Sequence, residues 1–434
     1  MEEPPMAKIN SFLAEYTERL EENGIPVGDG LPPKVVIRRF LRLFQTLDDV
    51  RVPKMVDYPL EEILLIAFLA IFGNASGWTE MERFGVRRKH WLKKFLKLKN
   101  GIPSHDTFRR VFSLIDPKQL QDITIAFLLE NLGAIKQTLN IKDDGYRQIC
   151  IDGKEQRGTG RKYQQEDKVR NLQTLHVYDT SNSICLYSEP IDEKTNEIPV
   201  AQNLLKNIQL KECIVSFDAL HMQKDTVTII RQKKGDYIGG LKKNQSTLHQ
   251  EAADYFSEED LFSFYKEKGD FYETTEKARG KIEKRKYYLV KPMKRKEINS
   301  WKGLKSFICY VKTIEDSKGK KTQEVRYYAT SLEDVELCAR AIRGHWGIEN
   351  LLHWHLDYSF YEDENSTMDK TAFNNYSLMN KMVLSLCKLA KPVLGSPSIR
   401  ILRKEIGWAY EDTITKILTF FSDEEIKNAL EVMD

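Results

Sequence analysis

The sequence predicts an α/β fold, a mixed sheet with helices against it, that follows an all-helical N-terminal domain. Three observations support this prediction. Helical periodicity runs through residues 1–140, and from residue 147 short apolar runs typical of buried strands alternate with amphipathic segments. Charged sequence with strand-like stretches then predicts a β-rich insertion in the sheet. The predicted domains are 1–140 (helical), 145–245 with 335–395 (α/β core), 246–334 (insertion) and 396–434 (helical tail).

The composition is typical of a globular intracellular protein. Of 434 residues, 41% are hydrophobic, enough for a sizeable core, and the net charge of +3 does not by itself indicate a nucleic-acid partner. The 6 cysteines lie far apart without a CxxC pair, which favours reduced core residues. No signal-peptide pattern is visible, and the longest apolar run, 63–73, is too short to span a bilayer. We therefore expect a cytoplasmic protein without a membrane partner.

The N-terminal domain contains several helix boundaries. A periodic segment ends at Gly24, and Pro59 stands at a first-turn position with acidic residues close behind, where the helix dipole favours them. Ser104, His105 and Asp106 suggest a catalytic triad, but triads assemble in space rather than by adjacency. We therefore predict that Ser104 is a helix N-cap.

The core alternates strands and helices. "RQICIDGK" is a short apolar strand that ends in Asp152, "LQTLHVYD" and "ICLYSEPI" form a hairpin, and "ECIVSFDA" is a second buried strand that ends in Asp218. "VAQNLLKNI" and "QKDTVTIIRQKKG" are helical, and "DYIGGLK" is another strand. The insertion contributes "KRKYYLVKPM", "LKSFICYVKTIED" and "EVRYYATSL", and helices resume at 334–359 and 370–391.

Two aspartates and one glutamate are candidate metal ligands. Asp152 and Asp218 each follow an apolar strand, at the sheet edge where sites collect in open α/β folds, and Glu349 lies on a later helix. A carboxylate in such a crevice is costly unless a cation or hydrogen bonds compensate it. Each aspartate alone could be a turn residue. Together the three acids predict a site for hard divalent ions, and two such ions suit in-line displacement at a phosphodiester.

The helix around Glu349 carries an unusual set of side chains. Positions three and four apart share a face, so His345, Trp346, Glu349 and His353 are predicted to line one side. The two histidines either have a purely structural role, or they orient the carboxylate or approach DNA phosphates. Core packing is the favoured interpretation for Trp346 and Trp354, with base stacking as the alternative for Trp346. The spacing of His345, Glu349 and His353 would allow a zinc site. The HExxH motif is absent, however, and no cysteine is near in the sequence.

Several ordered motifs resemble one family. "IDGK", "EKTNEIPVAQNLL", "FDALHMQKDT", "DYIGGLKKNQ", "RGKIEKR" and "RGHWGIENLLHWHLDYSFYED" are similar to those of H-repeat-associated, ISAs-type insertion-sequence transposases. These are DDE enzymes with a ribonuclease H-like core preceded by a helical domain, and the resemblance covers about residues 45–390. Two departures concern positively charged positions of the wider superfamily, which are occupied here by His345 and Leu356.

The resemblance implies a function and a site. Asp152, Asp218 and Glu349 would be the catalytic metal ligands, with two Mg²⁺ ions as cofactor and Mn²⁺ as a substitute. The chain would bind the terminal inverted repeats of its element, hydrolyse strands at the ends and join the 3′-hydroxyls to target DNA. Alternatives are a domesticated, non-catalytic DNA-binding protein on the same scaffold and a stand-alone DNA nuclease.

The expected partner is double-stranded DNA, bound by a homodimer and without a nucleotide cofactor, since "RGTGR" is not a phosphate-binding loop. The run 83–99 has eight Lys or Arg, no acid and interleaved aromatics, which favours phosphate contacts over a merely solvated face. The candidate DNA-binding residues are Lys154, Lys194, Asn196, Lys242, Asn244, Gln245, Arg279, Lys281, Arg285, Arg343, His345, Trp346, His353, Arg87, Arg88 and Lys93.

Overall fold

A computed structural model describes most of the chain, and all structural statements below concern the residues it describes. These are residues 33–138, 146–160, 170–191, 196–257, 266–267, 270–278, 280–393 and 395–419. The helix predicted to end at Gly24 lies outside these ranges, as do Lys194 and Arg279.

The N-terminal part is all-helical, as predicted. Its helices are α1 (Pro33–Gln45), α2 (Leu60–Phe72), α3 (Trp78–Arg87), α4 (Lys89–Leu92), α5 (His105–Phe112) and α6 (Pro117–Thr138). Pro59 precedes α2 as its N-cap residue, and every α2 residue except Glu61 is buried, so this helix is the centre of the bundle. Among the described residues, no helix combines the length and apolar character needed to cross a bilayer.

Ser104 caps α5, as the sequence predicts. Its hydroxyl oxygen accepts a hydrogen bond from the backbone N–H of Thr107 at 3.3 Å, which satisfies one of the free donors of the first turn. His105 instead lies 2.8 Å from the carboxylate of Glu82 on α3. Ser104 and its neighbours therefore build a helix terminus.

The centre of the molecule is one nine-stranded mixed sheet. Its spatial order is β3-β2-β1-β4-β5-β9-β8-β7-β6. The strands are β1 (Arg147–Gln156), β2 (Leu172–Asp179), β3 (Ile184–Ile191), β4 (Cys213–Phe217), β5 (Asp236–Leu241), β6 (Phe271–Ala278), β7 (Lys281–Val290), β8 (Ser306–Glu315) and β9 (Lys321–Thr330). β4 is parallel to both β1 and β5, and the remaining pairs are antiparallel. The predicted α/β class with a ribonuclease H-like mixed sheet is confirmed.

Strand β1 is longer than the sequence predicts. It does not end at Asp152 but continues to Gln156, because its polar second half pairs with β2 as far as Gln156 opposite Leu172. Its parallel pairing with β4, by contrast, stops at Ile151 opposite Phe217. Asp152 therefore stands at the point where β1 and β4 part.

The insertion extends the same sheet. β9 pairs antiparallel with β5, with Ile238 opposite Thr330, and β8, β7 and β6 follow outward. The sequence prediction located β7, β8 and β9 but did not identify β6. Helices α9 (Ser246–Tyr255) and α10 (Lys296–Asn299) also belong to this region.

The remaining helices pack around the sheet and the N-terminal bundle. They are α7 (Glu197–Asn207), α8 (Lys224–Gln232), α11 (Val335–Gly347), α12 (Trp354–Tyr358), α13 (Lys370–Val393), α14 (Ile399–Trp408) and α15 (Tyr410–Thr419). Between α11 and α12, Ile348–His353 forms a π-helical segment rather than the uninterrupted α-helix that was predicted. α13 packs against α2, α5 and α6 as well as β3, so the bundle and one face of the sheet share a continuous core.

Candidate metal centre

Asp152 and Asp218 lie side by side at the sheet edge. Asp152 follows the last β1–β4 pair, and Asp218 is the first residue after β4. The Asp218 carboxylate accepts hydrogen bonds from the backbone N–H groups of Leu220 at 3.0 Å and His221 at 3.4 Å, which fix it at the start of a turn. Asp152 accepts one from Gly153 at 3.0 Å.

The π-helical segment carries Glu349 to Asp152. A π turn inserts an additional residue into a helix and occurs mostly at functional sites. Here it contains both Glu349 and His353, and their side chains meet with Nδ1 of His353 at 3.6 Å from Oε2 of Glu349. The same nitrogen lies 3.8 Å from Oδ2 of Asp152. One ligand atom from each of the three residues lies within 4.8 Å of the others.

A second histidine orients His353. Nε2 of His353 lies 2.9 Å from Nδ1 of His176, on β2, and both rings are buried. Burial lowers the pKa of His176 well below its ordinary value, so this ring is neutral. Because the carboxylates can only accept, we assign the proton of His353 to Nδ1 and the shared proton to Nδ1 of His176. His353 therefore presents an N–H to both acids.

The acids perturb one another strongly. Burial, the charge of Glu349 and its hydrogen bond, and the charge of Asp218 raise the pKa of Asp152 to about 8. The hydrogen bond from His353 lowers the pKa of Glu349. Ionisation of both acids is therefore unfavourable, because two adjacent carboxylates repel each other. A bound divalent cation would compensate the same repulsion, and carboxylate oxygens are the ligands that Mg²⁺ or Mn²⁺ prefers.

His345 lies on the Asp218 side of the site. It is not among the three residues that meet, so the zinc set considered from sequence does not assemble; Asp152 stands in its place beside Glu349 and His353. Burial lowers the pKa of His345 to about 4. Glu349 and His353 meet at Asp152, whereas His345 lines the cavity beside Asp218, so the predicted helix side is shared between the two aspartates.

A cavity of about 630 Å³ opens beside Asp218. It lies between the core and the insertion and is lined by His345, Trp346, Lys242, Lys243, His249, Arg326, Tyr327 and Tyr328, among others. The Arg326 guanidinium lies 4.7 Å from the centre of the Trp346 ring. Trp346 is therefore a cavity wall rather than a core residue, contrary to the favoured interpretation.

Two predicted site residues brace the turn after Asp218. The Asn244 amide donates to the carbonyl of Ala219 at 2.8 Å, and the Gln245 amide donates to the carbonyls of Ala219 and Met222 at 2.8 Å each. Lys242, just before them, is exposed at the cavity rim. The amides thus hold the backbone that presents Asp218.

Lys154 is buried beneath the site. Its ammonium lies 2.5 Å from Asp357 and 3.4 Å from Asp363. Burial opposes its charge, but the carboxylates of Glu362, Asp357 and Asp363 raise its pKa on balance. Lys154 therefore ties β1 to α12 and to the segment that follows it, and its contact with DNA stays a prediction.

The other candidate DNA contacts lie in three places. In the insertion, Arg285 is buried between Glu276 and Glu283, whereas Lys281 is exposed. Arg343, on α11 beside the insertion, is also exposed and lies 3.4 Å from Glu276.

On the N-terminal bundle, Arg87 and Lys93 are exposed, and Arg88 lies 3.3 Å from Glu411 and over the Tyr410 ring. Asn196 is the N-cap of α7, since its side chain accepts from the N–H of Ile198 at 3.1 Å. These side chains do not converge on the acids.

The sequence analysis missed one pair near the site. The carboxylate of Glu197, the first residue of α7, lies 3.4 Å from Nε2 of the buried His221. It also packs on Gly153, where a Cβ atom would approach one of its oxygens to 2.6 Å. Glu197 thereby links the strand of Asp152 to the turn of Asp218. The only signal in the sequence is the Asn196–Glu197 pair, which is indistinguishable from an ordinary helix start.

Comparisons with known proteins agree with one another. Residues 143–386 match the family described as the transposase DDE domain, and residues 41–128 match the one described as DDE_Tnp_1-associated. The chain is similar to "Putative transposase YncI" of Escherichia coli O157:H7, with 33% identity over 380 residues, 86% of this chain and 92% of that protein. It is similar to "H repeat-associated putative transposase YhhI" of Escherichia coli K12, with 31% identity over 338 residues, 76% and 84% of the two chains.

Among solved structures, one similar chain is from the cryo-EM structure of the piggyBac transposase synaptic complex with hairpin DNA. Its TM-score is 0.40 at 9% sequence identity, over 88% of this chain and 81% of that one.

Proposed function

The chain belongs to the transposase DDE-domain family, and on this premise we propose that it cuts DNA strands at the ends of its own mobile element and joins the 3′-hydroxyls to target DNA. The observation that carries the proposal is the approach of Glu349 and His353 to Asp152, with Asp218 on the adjoining strand. These acids are remote in the sequence and meet at the sheet edge, where their negative charges repel one another. A purely structural role would not require that repulsion.

Asp152, Asp218 and Glu349 would hold two Mg²⁺ ions, for which Mn²⁺ could substitute. When bound, such ions supply activation of the attacking water or 3′-hydroxyl and stabilisation of the leaving oxygen. Nδ1 of His353 faces both acids, at 3.8 Å from Asp152 and 3.6 Å from Glu349, and so favours one orientation of their oxygens. Asn244 and Gln245 hold the turn that bears Asp218.

Double-stranded DNA is the proposed partner, both as element ends and as target. Exposed Lys242 at the cavity rim, Lys281 and Arg343 in and beside the insertion, and Arg87 and Lys93 on the bundle are the cations available for phosphates. Trp346 would stack on a displaced base if Arg326 moves from its ring. Because two element ends must be processed together, we propose a homodimer on DNA, acting in the bacterial cytoplasm at the nucleoid.

Incubation of the purified protein with labelled element ends, with and without Mg²⁺, tests this function. Cleaved strands together with joined products support a transposase. Cleavage without joining supports the nuclease alternative, and a gel shift without cleavage supports the non-catalytic binder.

Asp152→Asn tests the site. This variant should lose at least about 100-fold in cleavage rate, because it removes a metal-binding charge, while its gel shift persists. Glu336→Gln, an exposed acid on α11, is the matched control and should cleave normally. Normal cleavage by Asp152→Asn would overturn the site assignment.

A further inference from the structure

Three planar groups form a stack just beyond the candidate metal centre. The rings of Trp354 and Tyr358 on α12 are stacked, with centres 4.6 Å apart and planes inclined by 23°. The guanidinium of Arg400, on α14, lies 5.5 Å from the Tyr358 ring centre and donates to its hydroxyl at 3.0 Å. Tyr358 thus stacks on Trp354, and Arg400 holds Tyr358 through its hydroxyl.

The stack is held in place yet accessible to solvent. Trp354 is 48% exposed and Tyr358 46% exposed, although each covers part of the other. The sequence analysis favoured core packing for Trp354, and this was wrong. Exposed aromatic rings that are already ordered can stack on a ligand with little further loss of side-chain entropy.

The position of the stack relates it to the metal centre. α12 continues directly from the π segment, so Trp354 follows Glu349 by five residues and His353 by one. Little more than one helical turn therefore separates the two residues along the helix axis. A strand with its phosphate at the acids thus passes within a few base steps of Trp354.

Cations outnumber acids in the cavity beside the stack. This cavity of about 510 Å³ next to Tyr358 is lined by Arg400, Arg403 and Lys404 and by two acids, Glu80 and Glu364. Arg400 and Lys404 are exposed, so both are available for a phosphate backbone.

We propose that Trp354, supported by Tyr358 and Arg400, stacks on an unpaired base of the DNA strand adjoining the metal centre. This inference rests on the proposed function, since it assigns a DNA contact to the same site. Base stacking on an aromatic ring tolerates any sequence, so the stack would contribute affinity and strand position rather than recognition of the element end.

Two fluorescent duplexes test the proposal, one blunt and one with a four-nucleotide unpaired 3′ extension. Trp354→Ala should weaken binding of the extended duplex by about fivefold or more, as expected for loss of one stacked base, and change blunt-duplex binding less than twofold. Trp354→Phe should restore most of the affinity because it keeps a ring. Trp408→Ala, an exposed tryptophan at the far end of α14, is the matched control and should bind as the wild type does.

Tryptophan fluorescence is a second readout, and together with the binding data it separates failure of the stacking proposal from failure of the proposed function. Unpaired bases should quench part of the wild-type tryptophan fluorescence, and Trp354→Phe should lose that part. If the wild type binds the extended duplex and Trp354→Ala binds it equally, the stacking proposal fails while the proposed function stands. A change in oligomeric state by Trp354→Ala without a change in DNA affinity would also overturn it and mark the stack as a protein interface. If the wild type binds neither duplex, the proposed function itself fails.

Discussion

At the scale of single residues, ionisable groups lie unusually deep under the site. Lys154, His176, Glu362, Lys381 and Lys388 are all largely removed from solvent, on β1, β2 and α13 or the turn that leads to it. The Asn380 amide donates to Glu362 at 2.9 Å, and the Lys381 ammonium donates to Ser377 at 2.6 Å. Buried charges cost free energy of folding unless they are paired, so this layer predicts a stability that depends on pH.

Lys388 provides the clearest case. Burial lowers its pKa to about 7, while its amine donates to the hydroxyl of Tyr178 at 2.8 Å. The unfolded chain binds this proton more tightly, so the free energy of unfolding should rise as the pH increases from 7 towards 10. Between pH 7.0 and 8.5 the wild type should gain roughly 1–2 kcal/mol relative to Lys388→Met, as measured by urea unfolding.

Lys391→Met, a half-buried lysine on the same helix, is the control and should follow the wild-type pH profile. Parallel profiles for the wild type and Lys388→Met would contradict the assignment of the buried amine.

The residues that sequence reasoning found are those whose pattern is local. Asp152 and Asp218 each follow an apolar run, so their arrival at one sheet edge was predictable from strand chemistry. The role of His176 was not predictable, because it arises from a hydrogen bond to His353, 177 positions away in the sequence. Glu197 and His221 escaped for the same reason, since each alone fits an ordinary helix start or core.

At the scale of elements, the π segment Ile348–His353 decides which side chains reach the acids. It leaves His345 and Trp346 facing the cavity beside Asp218 and directs Glu349 and His353 to Asp152. Deletion of the exposed Asn350 should convert the segment to a regular α-helix and rotate α12 relative to α11 by about 100°, one residue of a 3.6-residue turn.

Deletion of Asn350 should therefore reduce DNA cleavage at least about 100-fold, because misplacement by an ångström is enough for such a loss. Circular dichroism should report a folded protein. Asn350→Ala keeps the residue count and should retain nearly full activity. A fully active deletion variant would mean that the π geometry is not required.

Two elements differ from the sequence prediction for identifiable reasons. The continuation of β1 after Asp152 is polar, and its strand conformation depends on pairing with β2 rather than on its own apolar pattern. β6 carries Glu273, Glu276 and Lys277 and lacks the apolar alternation that identified its neighbours. Periodicity locates strands that bury a face and misses those that only complete a ladder.

At the scale of the whole molecule, α13 joins the helical bundle to the sheet. Asn375, which is fully buried, donates from its amide to the carbonyls of Phe112 at 2.8 Å and Ile115 at 2.9 Å. These are terminal carbonyls of α5 and the turn after it. Farther along, the Tyr410 hydroxyl donates to the carbonyl of Leu69 on α2 at 2.7 Å.

Asn375→Ala should destabilise the entire chain rather than one part. It leaves two buried carbonyls unsatisfied, which should reduce the free energy of unfolding by about 2–4 kcal/mol. Urea unfolding followed by tryptophan fluorescence and by circular dichroism should give coincident transitions, because bundle and sheet share one core. Asn207→Ala, an exposed asparagine with one backbone acceptor, should change stability by less than about 0.5 kcal/mol. Separate transitions for the two probes would contradict the shared core.

The pairing of β5 with β9 also bears on attempts to shorten this protein. Excision of residues 246–334 would remove β9, the strand that pairs with this edge of β5. The backbone amides and carbonyls of Ile238 to Leu241 would then be free to pair with strands of other molecules. In the intact protein the outermost strand is instead β6, whose charged side chains discourage such encounters. The shortened protein is thus expected to precipitate unless a replacement strand is paired with β5. The insertion therefore keeps the protein soluble in addition to forming a wall of the cavity.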